Sequence, residues 1–496
     1  MGYFMKTMCI PAMLCLFAAF GCQQPVNKTV QVEVPVPQLP IEPAPPVEPG
    51  KPGFLRFDEI EQYADRDIKT LNATDRSRTR YLLTCDLYDQ GIKDLSNVLA
   101  GINKGINMVS TERLIAYVNT IDEDVGCVHR INLDDIGMTN EEWQKFERSN
   151  VLPFISNSVR GRTLRALTGT NQPMVYASSF FLTVMQADQV SIGNQLYYDL
   201  TEQPLNDTEF LAKLGIDLQK EFNEESPACA AGGKSQIALG KPRLICILDT
   251  TADGFLMFTG DVSLAKNDSI QQNPFFKNMA LIPGFATNKV FNFVASEWIF
   301  SLPNGLMTGY RLSNAGGTAE VIAPTNVVID IEQAGKGLPP DITLGACSNC
   351  HHQESGIFFR DEVFSIVQNN GNFNAAEKAL ADTFYRADKF QAKRAVANRE
   401  HTDALKRIGV STFAEDPVVT ELIQPLRGEL TLDKVAGKVF LEPDEFRIRL
   451  AGTNLSKVLF GALLEPGGVV AISDFSRGFR TLADELRLFR DAGQLD

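Results

Sequence analysis

A chain of 496 residues has room for roughly two to four domains and for a sizeable core. With 44% apolar and 22% charged residues it is not a wholesale disordered protein, and a net charge of −14 argues against nucleic acid or an anionic lipid surface as its general partner. The acidity fits a secreted protein kept soluble by its charge.

The first segment, "MKTMCIPAMLCLFAAFGCQQ", has Lys6, a short apolar run and small residues before Cys22. Met5-Lys6 makes a more natural signal start than Met1. Ala19-Phe20-Gly21-Cys22 has the form of a bacterial lipobox, which predicts a signal peptide over 1–21 and a lipid on Cys22. An ordinary secretory signal without lipid is the plainer alternative; both place the chain outside the cytoplasm. Gln23 after the lipid cysteine fits an outer-membrane lipoprotein, periplasmic or surface-facing. No later stretch has the roughly 18 uninterrupted apolar residues of a span, so the membrane is expected to be met through the lipid alone. Residues 22–53 are studded with proline, from Pro35 to Pro52, and read as an extended tether.

An α+β domain is expected over 54–330. "FDEIEQYADRDI", "RTRYLLTCDLYDQG" and "DLSNVLAGINKGINMVS" space apolar residues three and four apart and read as helices. "GCVHRINLDD" reads as a strand that places Cys127, His129, Ile131 and Leu133 on one face, followed by a helix capped near Thr139. A histidine on such a face is more often a hydrogen-bonded packing residue than a ligand. Further helices break near Pro204, with Asn206 or Asp207 as the next cap. From Phe255 the period shortens to two, and "GFLMFTGDVSL", "KVFNFVASEWIFSL", "LMTGYRLSN" and "TAEVIAPTNVVID" predict an antiparallel meander. Its turns fall at Pro303-Asn304-Gly305 and Asn314 to Gly317.

Beyond 330 the chain reads as mostly α-helical, with a haem region over 331–410 and further helices over 411–496. "NAAEKALADTFYRADKFQAKRAVANREHTDALKRIG" predicts one long charged helix. The informative stretch is Cys347-Ser348-Asn349-Cys350-His351, a Cys-x-x-Cys-His sequence. On a helical turn both thiols share a face, where they can form thioethers to one porphyrin edge while His351 turns onto the iron. Export strengthens this reading, because c-type haem is attached outside the cytoplasm. Two alternatives remain: a thiol–disulfide pair, which lacks the usual βαβ setting, and a zinc site using Cys347, Cys350 and His352, which lacks a further ligand cluster. The other axial position of the iron is open among His401, Met307, His129 or water, since no methionine follows the motif.

Nine cysteines then sort by position. Cys9 and Cys15 leave with the signal, Cys22 is lipidated, and Cys347 and Cys350 belong to the motif. Cys85, Cys127, Cys229 and Cys246 remain as disulfide candidates in an oxidising compartment; Cys85 with Cys127 and Cys229 with Cys246 close the shorter loops.

The motif and the lipobox together resemble an exported monohaem c-type cytochrome. The body resembles a group of large uncharacterised bacterial cytochrome-c-like proteins, through "EWIFSLPNGLMTGYRLSNAGG", "SSFFLTVM", "YYDL" and "REHTDALKRIGV". Ser348 and His352 depart from the group's pattern, in which methionine often follows the first cysteine and glycine comes soon after the histidine. The resemblance implies one covalent haem c, an unknown redox partner protein, a cytochrome-c-like region after the α+β domain, and no assigned activity. Three functions follow: electron transfer through His351-ligated iron, a haem enzyme or gas sensor with an open sixth position, or an interaction module with structural haem. No hydrolytic constellation accompanies the four histidines.

Overall fold

The computed structural model describes residues 55–88, 95–187, 195–232, 243–250, 254–263, 292–314, 316–323, 329, 343–353 and 361–489. The expected signal, Cys22 and the tether lie outside the described residues.

The fold mixes helices with two main sheets. The smaller sheet joins β1 (Thr79–Leu83), β2 (Asn119–Thr120), β3 (Val128–Asn132) and β4 (Met174–Tyr176) in the order β2-β3-β1-β4. β1 runs antiparallel to β3 and parallel to β4. The stretch around Tyr81 was expected to be helical and is this sheet's inner strand instead. All five of its residues are buried, so apolar side chains occur on both faces and leave no period of two to read. Just beyond the paired ends of β1 and β3, Cys85 is bonded to Cys127.

The larger sheet is a six-stranded antiparallel meander, β5 (Ala228–Gly232), β6 (Arg243–Asp249), β7 (Phe255–Ser263), β8 (Asn292–Phe300), β9 (Gly309–Asn314) and β10 (Ala319–Glu320), each beside its chain neighbour. The two strands before Phe255 were not anticipated. The expected turns are present: Gly305 and Gly317 both take left-handed backbone, at φ 88° and 74°. Both faces of this sheet are covered, and the strand alternation divides its side chains between two apolar clusters. Leu244, Cys246, Leu248, Trp298 and Phe300 pack with Val363, Val367 and Phe384, whereas Ile245, Ile247, Ala295 and Ile299 join the main core. Cys229 and Cys246, register partners on β5 and β6, are bonded on the first of these faces.

Helices complete the layers. Phe57–Thr70 buries Ile60, Ala64 and Ile68, one residue per turn, and Asn140–Ser149 starts in a capping box between Thr139 and Glu142. Asn206 caps Asp207–Lys213 by accepting from the amides of Thr208 and Glu209. The long charged helix expected after Asn374 is two helices, Ala375–Phe384 and Ala387–Ile408. Tyr385 ends the first, and its fully buried ring holds the break in the core. The main core spans the expected boundaries at 330 and 410. The ring of Phe57 lies 5.3 Å from that of Phe440 and 4.5 Å from that of Phe489. Among the described residues no helix is long and apolar enough to cross a membrane.

His129 is a buried packing residue. Thr84 donates its hydroxyl towards the Cys127 carbonyl and meets His129 Nε2 at 3.0 Å, while Thr120 Oγ1 lies 3.1 Å from Nδ1. Burial pushes its pKa down to about 4, partly opposed by Asp122. Between 6.5 and 4 the unfolded chain therefore binds the extra proton, so stability present above pH 6.5 is lost as pH falls. From pH 7.5 to 5 this one group should remove about 2 kcal/mol. In urea titrations at both pH values His129→Gln should lose that much less than the wild type; an equal acid loss in both proteins would refute the assignment.

Candidate functional site

The Cys-x-x-Cys-His sequence forms a short helix, Leu344–Cys350, with Thr343 at its N-terminal end and His351 at its C-terminal end. Gly345 permits its close seating: a Cβ there would stand 2.8 Å from that of Ala187. Ala187 is fixed from the other side, because Arg427 donates twice to its carbonyl at 3.0 and 2.7 Å. Cys347 is buried, Cys350 is exposed one turn on, and neither is in a disulfide.

The larger sheet faces the helix through two charged residues. On β8, Glu297 shares the parity of Ala295 and Ile299, and on β6 Arg243 shares that of Ile245 and Ile247, so both point to the side that packs with Cys347. Glu297 Oε1 accepts from Cys347 Sγ at 3.4 Å and lies 3.8 Å from His351 Nε2, while Oε2 meets Arg243 Nη1 at 3.3 Å. Burial, ahead of Glu297, drives the Cys347 thiol well above its ordinary pKa. A thiol held protonated in this way is a poor nucleophile, which disfavours the thiol–disulfide reading. Burial also lowers the pKa of His351, with Glu297 opposing, so the imidazole is held neutral, the form that binds metals.

A second cluster grips the residues on either side. Lys104, on the helix Leu95–Met108, is fully buried and pairs with Asp416 at 2.8 Å. Asp416 also accepts from the hydroxyl of Ser348 and, at 2.9 Å, from the amide of Val418 at the head of a wide helical turn, Val418–Ile423. Lys104 donates to His352 Nδ1 at 2.8 Å, and His352 Nε2 lies 3.2 Å from the Phe413 carbonyl. Burial and the neighbouring ammonium push His352 down to about 4. Ser348 and His352, the two departures from the resembled pattern, are therefore the two motif residues held by this ion pair. A Cβ at Gly101 would stand 2.8 Å from the Pro417 carbonyl, so glycine lets the lysine-bearing helix reach this turn.

His401 is buried beside the motif with both ring nitrogens used: Nδ1 accepts from the Met307 amide at 3.2 Å and Nε2 meets the His352 carbonyl at 2.9 Å. Met307 is buried in the main core, and His129 belongs to the smaller sheet. Met108, which the sequence did not single out, brings its sulfur to 3.8 Å from Ser348 Oγ. Glu297, Arg243, Lys104 and Asp416 were also missed. Strand parity could have oriented Glu297, which lies on an expected strand, but Arg243 begins a strand that was not anticipated, and nothing in the sequence pairs residues 104 and 416.

The donor set fits a covalent haem. Two thiols and a neutral imidazole occupy one turn, and His351 Nδ1 is buried with no hydrogen-bond partner among the described residues. Thr343 Oγ1, Thr308 Oγ1 and both amide atoms of Gln186, which adjoins Ala187, are likewise buried and unpartnered there. Buried polar atoms left in this way point to an ordered water or a bound group. No group of three His, Cys, Asp or Glu side chains able to hold a bare metal ion occurs among the described residues. Comparison with protein-family models, with curated proteins and with solved structures finds no match.

Proposed function

We propose that this chain is an exported lipoprotein, anchored by a lipid on Cys22, that carries one haem c through Cys347 and Cys350, with His351 as axial ligand, and passes single electrons to a partner protein. A cytochrome-c-like role for residues 331–410 is part of this reading. The observation that carries it is the buried, neutral His351 on the same helical turn as two thiols, while Cys85, Cys127, Cys229 and Cys246 are bonded to each other. Bound there, a haem supplies reversible one-electron exchange at its iron. The chain's own residues fix the turn that would hold it: Lys104 and Asp416 hold Ser348 and His352, and Glu297 on β8 accepts from Cys347.

The full-length protein, made in bacteria that export it and attach c-type haem, should keep haem after denaturation, with one haem per chain by mass. Cys347→Ser with Cys350→Ser should abolish the attachment. A denatured wild-type protein without haem would refute the proposal. The haem enzyme or sensor reading draws support from one observation: His129, His352 and His401 each have both ring nitrogens engaged elsewhere. Carbon monoxide binding by the reduced protein separates an exchangeable site from two tightly held ligands.

A further inference from the structure

We propose that Glu297 is a thiol guard: by its hydrogen bond it withholds Cys347 as a reaction partner, so that Cys350 takes up a small thiol as a mixed disulfide and the pair does not close on itself. The inference rests on the export reading above and concerns the chain before anything is attached to the motif. An exported Cys-x-x-Cys sequence lies where thiols tend to pair, as Cys85 does with Cys127 and Cys229 with Cys246. Cys347 and Cys350 are not bonded to each other, although they are one helical turn apart.

The two thiols have opposite settings. Cys350 is exposed at the end of the helix, whereas Cys347 is 2% exposed and donates to Glu297 Oε1 at 3.4 Å. The carboxylate is fixed from both ends. Its other oxygen meets Arg243 Nη1 at 3.3 Å, and its backbone lies inside the sheet, between Thr259 on β7 and Leu312 on β9. Thr259 Oγ1 accepts from the Glu297 amide at 3.2 Å and donates to its carbonyl at 3.0 Å. Reactive thiols lie beside cations or at helix N-termini, which favour the thiolate. Cys347 meets a carboxylate instead. The other titratable groups around it, Tyr197, Tyr198, Tyr310 and Cys350, bring no positive charge, and His351 is held neutral. The nearby cation, Arg243, is engaged on the far oxygen of Glu297.

Thiol–disulfide exchange fixes the outcome. The Cys350 thiolate attacks an incoming disulfide, so one S–S bond forms at Cys350, one breaks, and a small thiolate leaves. Ring closure then needs a second thiolate, that of Cys347, to attack Cys350 Sγ and expel the small thiol. Burial and Glu297 both disfavour that thiolate, so the mixed disulfide persists until a small thiol reverses it. The motif stays recoverable as two thiols, the form that thioether attachment consumes.

To test this, the exported chain is made in cells that lack haem attachment and is treated, still folded, with oxidised glutathione. After acid quenching, the peptide that bears both cysteines is weighed. The wild type should carry one glutathione on Cys350, and closure to the Cys347–Cys350 disulfide should set in only above pH 9. Glu297→Gln should close at lower pH. For each unit by which the thiol pKa falls, closure should speed up ~3-fold, because the thiolate fraction rises about tenfold while its nucleophilicity drops. The double variant Arg243→Gln with Glu297→Gln removes both charges of this contact and should also close faster than the wild type. A wild type that closes readily at pH 7, or whose Cys350 takes up no glutathione, would overturn the proposal. So would folded variants that keep the mixed disulfide as long as the wild type does. A chain that keeps its signal and stays in the cytoplasm would instead refute the export reading, whatever the thiols do, so the two failures are distinguishable.

Discussion

Asp416→Ala should cost the fold ~3–5 kcal/mol in urea unfolding, one of the two largest effects expected of any single substitution outside the apolar core. Lys104 and Asp416 are both completely buried, 2.8 Å apart. Removing the carboxylate leaves an ammonium in the core with, among the described residues, the neutral ring of His352 as its hydrogen-bond partner. Burial already lowers the pKa of Lys104, opposed chiefly by Asp416. The variant also releases Ser348 and the amide of Val418, both of which donate to Asp416. Lys104→Met combined with Asp416→Leu should be markedly more stable than Asp416→Ala, because no charge is then left alone. A single variant no less stable than the double one would show that stranded charge is not the cause.

Asp86→Ala should be comparably costly, again ~3–5 kcal/mol at neutral pH. Lys438, at the end of the helix Leu432–Lys438, pairs with Asp86 on the short helix Cys85–Tyr88, and both side chains are fully buried. The ammonium has further partners in the Ser178 hydroxyl at 3.3 Å and the face of Tyr176 at 5.3 Å. Neither replaces a carboxylate. Burial pushes Lys438 down to about 7 from 10.5. Asp86→Ala combined with Lys438→Met should recover most of the loss in guanidinium titrations, because no charge is then left alone. A double variant no more stable than Asp86→Ala would refute the buried-cation account.

Elements with one buried face were legible in the sequence. The helix at Phe57–Thr70, the capped starts at Thr139 and Asn206, and the turns at Gly305 and Gly317 each carry their cause within a few residues. Where both faces are buried, the local signal is lost. β1 was mistaken for a helix, and the strands β5 and β6 went unseen. Their side chains are buried on both sides, so composition and period alike fail to mark them. The break at Tyr385 escaped notice for a related reason: two helical patterns abut, and only packing of the buried ring ends the first.

By itself the sequence determined that two thiols three apart and the histidine after them come together on one helical turn, through local geometry alone. Tertiary structure decided what surrounds that turn. Glu297 and Arg243 reach it by sheet parity across three strands, and Lys104 and Asp416 meet across more than three hundred residues of chain. Such partners are chosen by the closing of long loops and the exclusion of water from a shared core, and a local pattern does not record either.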